Sequence, residues 1–106
     1  MPKYLFIANY SAEGAKGVLS SGGSARRTAV SEAVGSLGGS LESFYFGFGQ
    51  DDAYVVADLP DNTSAAALAM QVGASGMAGV RTVVLLTPED VDRAAQTPSS
   101  YRAPGA

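Results

Sequence analysis

Leu41-Glu42-Ser43-Phe44-Tyr45-Phe46-Gly47-Phe48, then Gly49-Gln50-Asp51-Asp52, then Ala53-Tyr54-Val55-Val56-Ala57-Asp58-Leu59 is the stretch that decides the fold. Two segments rich in aromatic and β-branched residues flank a short run of turn formers. The pattern predicts two antiparallel strands joined by a tight loop. Pro60 closes the second strand, because proline donates no backbone hydrogen bond. Upstream, Ala29, Val30, Ala33, Val34 and Leu37 recur at helical spacing, and Gly38-Gly39 stops that helix. Ser24 is its expected N-cap. Ser11 to Gly23 is rich in Gly and Ser and reads as a connection, with at most a short turn of helix over Ala12 to Leu19. Tyr4 to Tyr10 reads as the first strand.

Downstream, Asp61, Asn62 or Thr63 caps a second helix whose apolar face is Ala65, Leu68, Ala69 and Val72. Gly73 to Gly79 ends it, and Val80 to Leu86 reads as a fourth strand. Thr87-Pro88-Glu89-Asp90 marks a last helix, with Thr as N-cap, Pro at the first position and acids in the first turn. It ends at Ala95. Gln96 to Ala106, with Pro98 and Pro104, reads as a flexible tail. The chain is therefore one domain over residues 1–95 and a tail over 96–106.

The order βαββαβ is the ferredoxin-like plan: an α+β fold with a four-stranded antiparallel sheet and helices on one face. Strand one places Tyr4, Phe6, Ala8 and Tyr10 on one side and Leu5, Ile7 and Asn9 on the other. Strand four places Val80, Thr82, Val84 and Leu86 on one side and Arg81, Val83 and Leu85 on the other. A sheet with one solvated face alternates apolar with polar, and this one is apolar on both. Two helices cover only one face. A second copy of the chain is the expected cover for the other, giving a homodimer or higher homo-oligomer through the sheet.

Composition excludes much of the remaining chemistry. The chain of 106 residues has no Cys, no His and no Trp. It offers no disulfide, thiolate nucleophile or imidazole base, and no soft ligand set for a transition metal. Neither metal nor cofactor is expected. Seven basic residues against ten acidic ones, scattered along the chain, argue against nucleic acid as a partner. No window approaches the roughly 20 apolar residues of a membrane span. Met1-Pro2-Lys3 and the short apolar run Tyr4 to Ala8 do not make a signal segment, so a soluble, cytoplasmic protein is expected.

Gly49-Gln50-Asp51-Asp52-Ala53, Asp58-Leu59-Pro60-Asp61, Ala65-Ala66-Ala67-Leu68-Ala69 and Gly79-Val80-Arg81-Thr82 together resemble the GYD-domain family. Ile7-Ala8-Asn9-Tyr10, Gly14, Leu37-Gly38-Gly39 and Ser43-Phe44-Tyr45 extend the resemblance over residues 3 to 95. It implies a small ferredoxin-like protein of the dimeric α/β-barrel type, with no assigned reaction. The family is named for a Gly-x-Tyr-Asp turn. Gly49 and Asp52 are kept, but Asp51 stands where the Tyr would be, with Tyr54 two residues beyond Asp52 as a partial substitute for the ring.

The candidate ligand-binding residues are Asn9, Tyr45, Asp52, Tyr54 and Arg81. Asp51-Asp52 invites an acid–base or metal reading, but a polar hairpin turn accounts for it more simply. Arg81, inside an apolar strand, either clamps an anion or pairs with Asp52 or Asp58. Asp58 has the same two readings. Asn9 either orients a ligand or is satisfied by loop backbone. Tyr10, Tyr45 and Tyr54 either line a pocket or pack at an interface. Ser20 to Ser24 lacks the phosphate-loop signature. Arg26-Arg27 reads as a solvated helix face in preference to an anion site. Three functions fit: a small-molecule-binding or accessory module; a cofactor-independent enzyme of isomerase or oxygenase type, with Asp52, Asp58 or a Tyr as base; and a purely structural interaction protein. An enzyme needs a base in a cavity, a binding module needs only the cavity, and a structural protein needs neither.

Overall fold

In the computed structural model, which describes residues 1–106, the chain forms eight elements. They are β1 (Lys3–Tyr10), α1 (Ala12–Ser21), α2 (Gly23–Ser36), β2 (Ser40–Phe46), β3 (Ala53–Asp58), α3 (Asn62–Ala74), β4 (Ala78–Leu85) and α4 (Pro88–Ala95). The strands lie in the order β2-β3-β1-β4, and every neighbouring pair is antiparallel. This is the ferredoxin-like arrangement that the hairpin and the βαββαβ order predict. A register shift between Leu41 and Ser43 sets Glu42 out of the β2–β3 ladder.

One face of the sheet carries the core. Tyr4, Phe6, Val55 and Ala57 from the strands meet Val34 of α2, Leu59, and Ala65 and Leu68 of α3. Tyr4, Leu59 and Val34 are fully enclosed. Burying the Tyr4 ring strands a hydroxyl unless it finds an acceptor, and it donates to Asn62 Oδ1 at 2.7 Å. Asp61 caps α3, its carboxylate accepting from the Ser64 N–H at 2.8 Å. Thr87 and Asp90 close a reciprocal capping box on α4, with Pro88 in the first turn.

Four local expectations are corrected. Ser11 to Gly23 is not a plain connection: α1 runs the length of Ala12–Ser21, capped by the Ser11 side chain, which accepts from the Gly14 N–H at 3.2 Å. Gly14 is buried against the Met77 carbonyl, so closely that a methyl group there would overlap it. Gly14, read in the sequence as part of a run of breakers, thus serves a close approach. Second, the N-cap of α2 is Gly22, not Ser24. Gly22 ends α1, donating its N–H to the Val18 carbonyl at 2.7 Å, and opens α2 at φ 87°, a backbone state that a side chain disfavours. Third, β2 ends at Phe46 and not Phe48. The Gly47 N–H donates to the Asp52 carbonyl at 2.9 Å and closes a loop over 47–52, leaving Phe48 in solvent. Fourth, β4 starts at Ala78, opposite Tyr10, so Ala78 and Gly79 belong to the strand rather than to the end of α3.

The other face of the sheet has no element over it. Tyr45, Tyr54, Ile7 and Arg81 stand in one cross-strand row, and Ser43, Val56, Leu5 and Val83 in the next. Alternation separates Leu5 and Ile7 from Tyr4 and Phe6, and Arg81 and Val83 from Val80 and Thr82; the structure turns the first set of each strand away from the helices. Helix α4 buries none of its residues. Residues 97–106 contain neither helix nor strand and are exposed. The radius of gyration is 16.7 Å, against about 13 Å for a compact chain of this length, as expected of a body with an extended C-terminal arm. No helix is long and apolar enough to cross a membrane.

Candidate functional site

The chemistry-bearing side chains divide between the two faces of the sheet. On the outer face, the loop over 47–52 folds back over the end of β1 and brings Asp51 down beside Asn9 and Arg81. Asn9 Nδ2 donates to Asp51 Oδ1 at 2.8 Å, and Arg81 Nη2 donates to Asp51 Oδ2 at 3.0 Å. Asp51 is buried, while Arg81 remains largely in solvent. Asp52 turns the other way and accepts from the Tyr10 backbone N–H at 2.8 Å, and its own N–H donates to the Ala8 carbonyl. The two carboxylates therefore do not share a site, and no three acidic side chains converge in the chain.

This geometry corrects the expected pairings. Arg81 pairs with Asp51 rather than with Asp52 or Asp58, and Asn9 is satisfied by a loop side chain rather than loop backbone. Both Asp51 oxygens are engaged, so Asp51 pins the hairpin loop to β1 and β4. Tyr54 lies against Gly47 on the outer face, and Tyr45 beside it is 71% exposed. Of the five candidate residues, Asn9 and Arg81 are joined through Asp51, Tyr45 and Tyr54 are cross-strand neighbours, and Asp52 stands apart. At the far end of the same face, Lys3 Nζ donates to Glu42 and to Asp58, each at 2.9 Å. The Glu42 carboxylate first, and Asp58 with it, hold the Lys3 ammonium above its ordinary pKa range.

The concave space is on the opposite face. Between the sheet and helices α2 and α3 lies a hollow of about 150 Å³. It is roofed by Ala29, Val30 and Ala33 of α2 and by Leu68, Ala69 and Val72 of α3, and floored by Phe6, Ala8, Phe44, Ala53, Val55, Ala78 and Val80. Six of these positions are alanines. The space exists because small side chains stand where a filled core would place leucine or isoleucine. Tyr10 and Arg26 complete the wall, Arg26 being its one charged residue. Of the three tyrosines considered for a pocket, Tyr10 lines this one, and Tyr45 and Tyr54 do not.

Arg26 is the residue that sequence reasoning placed wrongly. It does not lie on a solvated helix face: it is half-buried, and its Nε is buried with no hydrogen-bond partner. Arg27 is exposed, as expected of that face. A helical count carries a signal that was available, because Arg26, Ala29, Val30 and Ala33 fall at i, i+3, i+4 and i+7 and so share one face.

A four-stranded antiparallel sheet in ferredoxin-like order, holding an apolar hollow beneath two helices, defines the chain as a small α+β domain of the βαββαβ class. Within that class the family model of the GYD domain matches residues 4–95, and the chain belongs to the GYD-domain family. No curated protein and no solved structure matches the chain.

Proposed function

We propose that this chain is a cytoplasmic, self-associating domain that binds a small molecule in the hollow beneath α2 and α3. The hollow itself carries the reading. A core of this size closes around its own side chains unless small residues keep it open, and voids larger than a water molecule are few in a domain. Here alanines from five different elements face one another across about 150 Å³. A hollow of that volume lined by hydrocarbon has room for a group about the size of one benzene ring. A purely structural interaction protein has no use for such a space. An enzyme needs a base within it; Asp52 and Asp58 are not part of its wall, and of the candidate bases only the phenol of Tyr10 is. Binding without chemistry is the simpler fit.

Self-association is supported by the outer face. Leu5, Tyr45, Tyr54, Val56 and Val83, none of them fully buried, form a contiguous apolar surface across all four strands. Monomers seldom present such patches, and a self-complementary face is what an isologous dimer requires.

Xenon tests the hollow without presuming a ligand. In methyl NMR spectra under xenon pressure, the resonances of Ala33, Val55 and Val72 should shift in a saturable manner, while those of Val83 stay still. If the lining methyl groups do not respond, the space is closed in solution and the binding reading falls.

A further inference from the structure

Resting on that reading of the hollow, we infer that its ligand is a small apolar monocarboxylate, about one aromatic ring in bulk, whose acid group is held by Arg26. Arg26 is the one charged residue of the wall, and its Nε–H is buried without an acceptor. A buried donor on a charged group is costly to leave unpaired, and no carboxylate of the protein pairs with the Arg26 guanidinium.

The placement of Arg26 adds to this. It lies near the N-terminus of α2, where the helix dipole disfavours a cation and favours an anion. A second hollow, beneath α1 and α2, shares Tyr10, Arg26 and Ala29 with the first. Arg26 therefore stands at the junction of two spaces, where it is placed to meet one end of a molecule whose apolar part fills the first. No carboxylate lines either space, so nothing in the protein competes for the guanidinium.

Charge and volume narrow the class. A planar guanidinium matches a carboxylate through two parallel N–H···O bonds. A phosphate ester carries nearly twice the charge, and no second basic residue lines these spaces to balance it. The volume of the first hollow suits a single ring or a branched chain of similar bulk.

The test titrates the full chain with benzoate and with its neutral analogue benzyl alcohol, read by methyl and Arg Nε–H resonances in NMR. Benzoate should shift the Ala33 and Val72 methyl groups and the Arg26 Nε–H together, and should bind at least about tenfold more tightly than benzyl alcohol. Arg26→Met keeps the apolar stem; it should remove that preference and leave benzyl alcohol binding unchanged. Equal affinity of the wild type for the two probes, or undiminished benzoate binding by the Met variant, overturns the assignment. If the Met variant does not fold, the wild-type comparison of the two probes decides alone. Benzyl alcohol or xenon entering where benzoate does not refutes the carboxylate and leaves the binding reading standing. If no probe enters, both fall.

Discussion

Gly14 and Gly17 lie one turn apart in α1, yet replacing each with alanine should move stability in opposite directions. In a solvent-facing helical position, Gly→Ala reduces the entropy of the unfolded chain and stabilises by about 0.5–1 kcal/mol. Gly17 is such a position: a methyl group there meets nothing within 4 Å. Gly14 offers the same propensity gain, but a methyl group there overlaps the Met77 carbonyl oxygen, lies 2.9 Å from the Met77 carbonyl carbon and 3.2 Å from a Tyr10 ring carbon. The first two are backbone atoms and cannot rotate away, so α1 must lift off the start of β4. That movement strains the bonds from the Ser11 N–H (2.9 Å) and the Ser11 hydroxyl (3.2 Å) to the Met77 carbonyl. Overpacking of this kind costs about 1–3 kcal/mol, and each weakened hydrogen bond adds up to about 1 kcal/mol. Gly14→Ala should therefore be less stable than wild type by about 1–2 kcal/mol and Gly17→Ala more stable by up to about 1 kcal/mol, a separation of roughly 2 kcal/mol. Equilibrium urea unfolding, followed by far-ultraviolet circular dichroism, resolves this, since equal m-values let the midpoints be compared. Stabilisation by Gly14→Ala equal to that by Gly17→Ala would refute the close approach of α1 to β4.

The orientation of β1 and β4 sharpens the test of self-association. Val83→Glu places a charge on the outer face, where that side chain is exposed, and should yield a folded monomer in sedimentation velocity, whereas Phe6→Glu places it in the core and should abolish folding; a wild type that is already monomeric at micromolar concentration rules the interface out. Asp51→Ala releases Asn9 and Arg81 and unpins the hairpin loop, and should cost about 1–2 kcal/mol in chemical denaturation, a modest figure because Arg81 is 64% exposed. On acidification, Asp61 and Asp90 act together. Hydrogen bonds from the Ser64 N–H and the Thr87 N–H respectively hold each carboxyl below its ordinary value of 3.8, so their stabilisation is present above that pH and is lost as pH falls through the depressed values. Asp61→Asn should flatten the dependence of melting temperature on pH below about 4, and an unchanged acid limb would show that the cap contributes nothing.

The sequence by itself determined the elements whose signals are local. The strand alternation in Tyr4 to Tyr10, the turn run Gly49 to Asp52, the stop at Gly38-Gly39 and the Thr87-Pro88-Glu89-Asp90 start each act through neighbours within one turn or one loop. Their order then leaves the ferredoxin-like sheet as the simplest way to bury both helical faces, and the period of two alone separates Leu5 and Ile7 from Tyr4 and Phe6 without saying which set faces the helices. The tertiary structure decided what depends on distance along the chain and on volume. Asp51 meets Arg81 thirty positions on, and Asn9 meets it across forty-two, so no local pattern says which carboxylate Arg81 takes. Gly14 reads as a helix breaker until Met77, far along the chain, is seen to lie against it. The hollow is the clearest case. Hydropathy scores alanine and leucine alike as core formers, and a periodic pattern records that Ala33 and Ala69 lie on the apolar faces of their helices. It does not record that they face one another, and a void arises only where small side chains from separate elements meet in the same space.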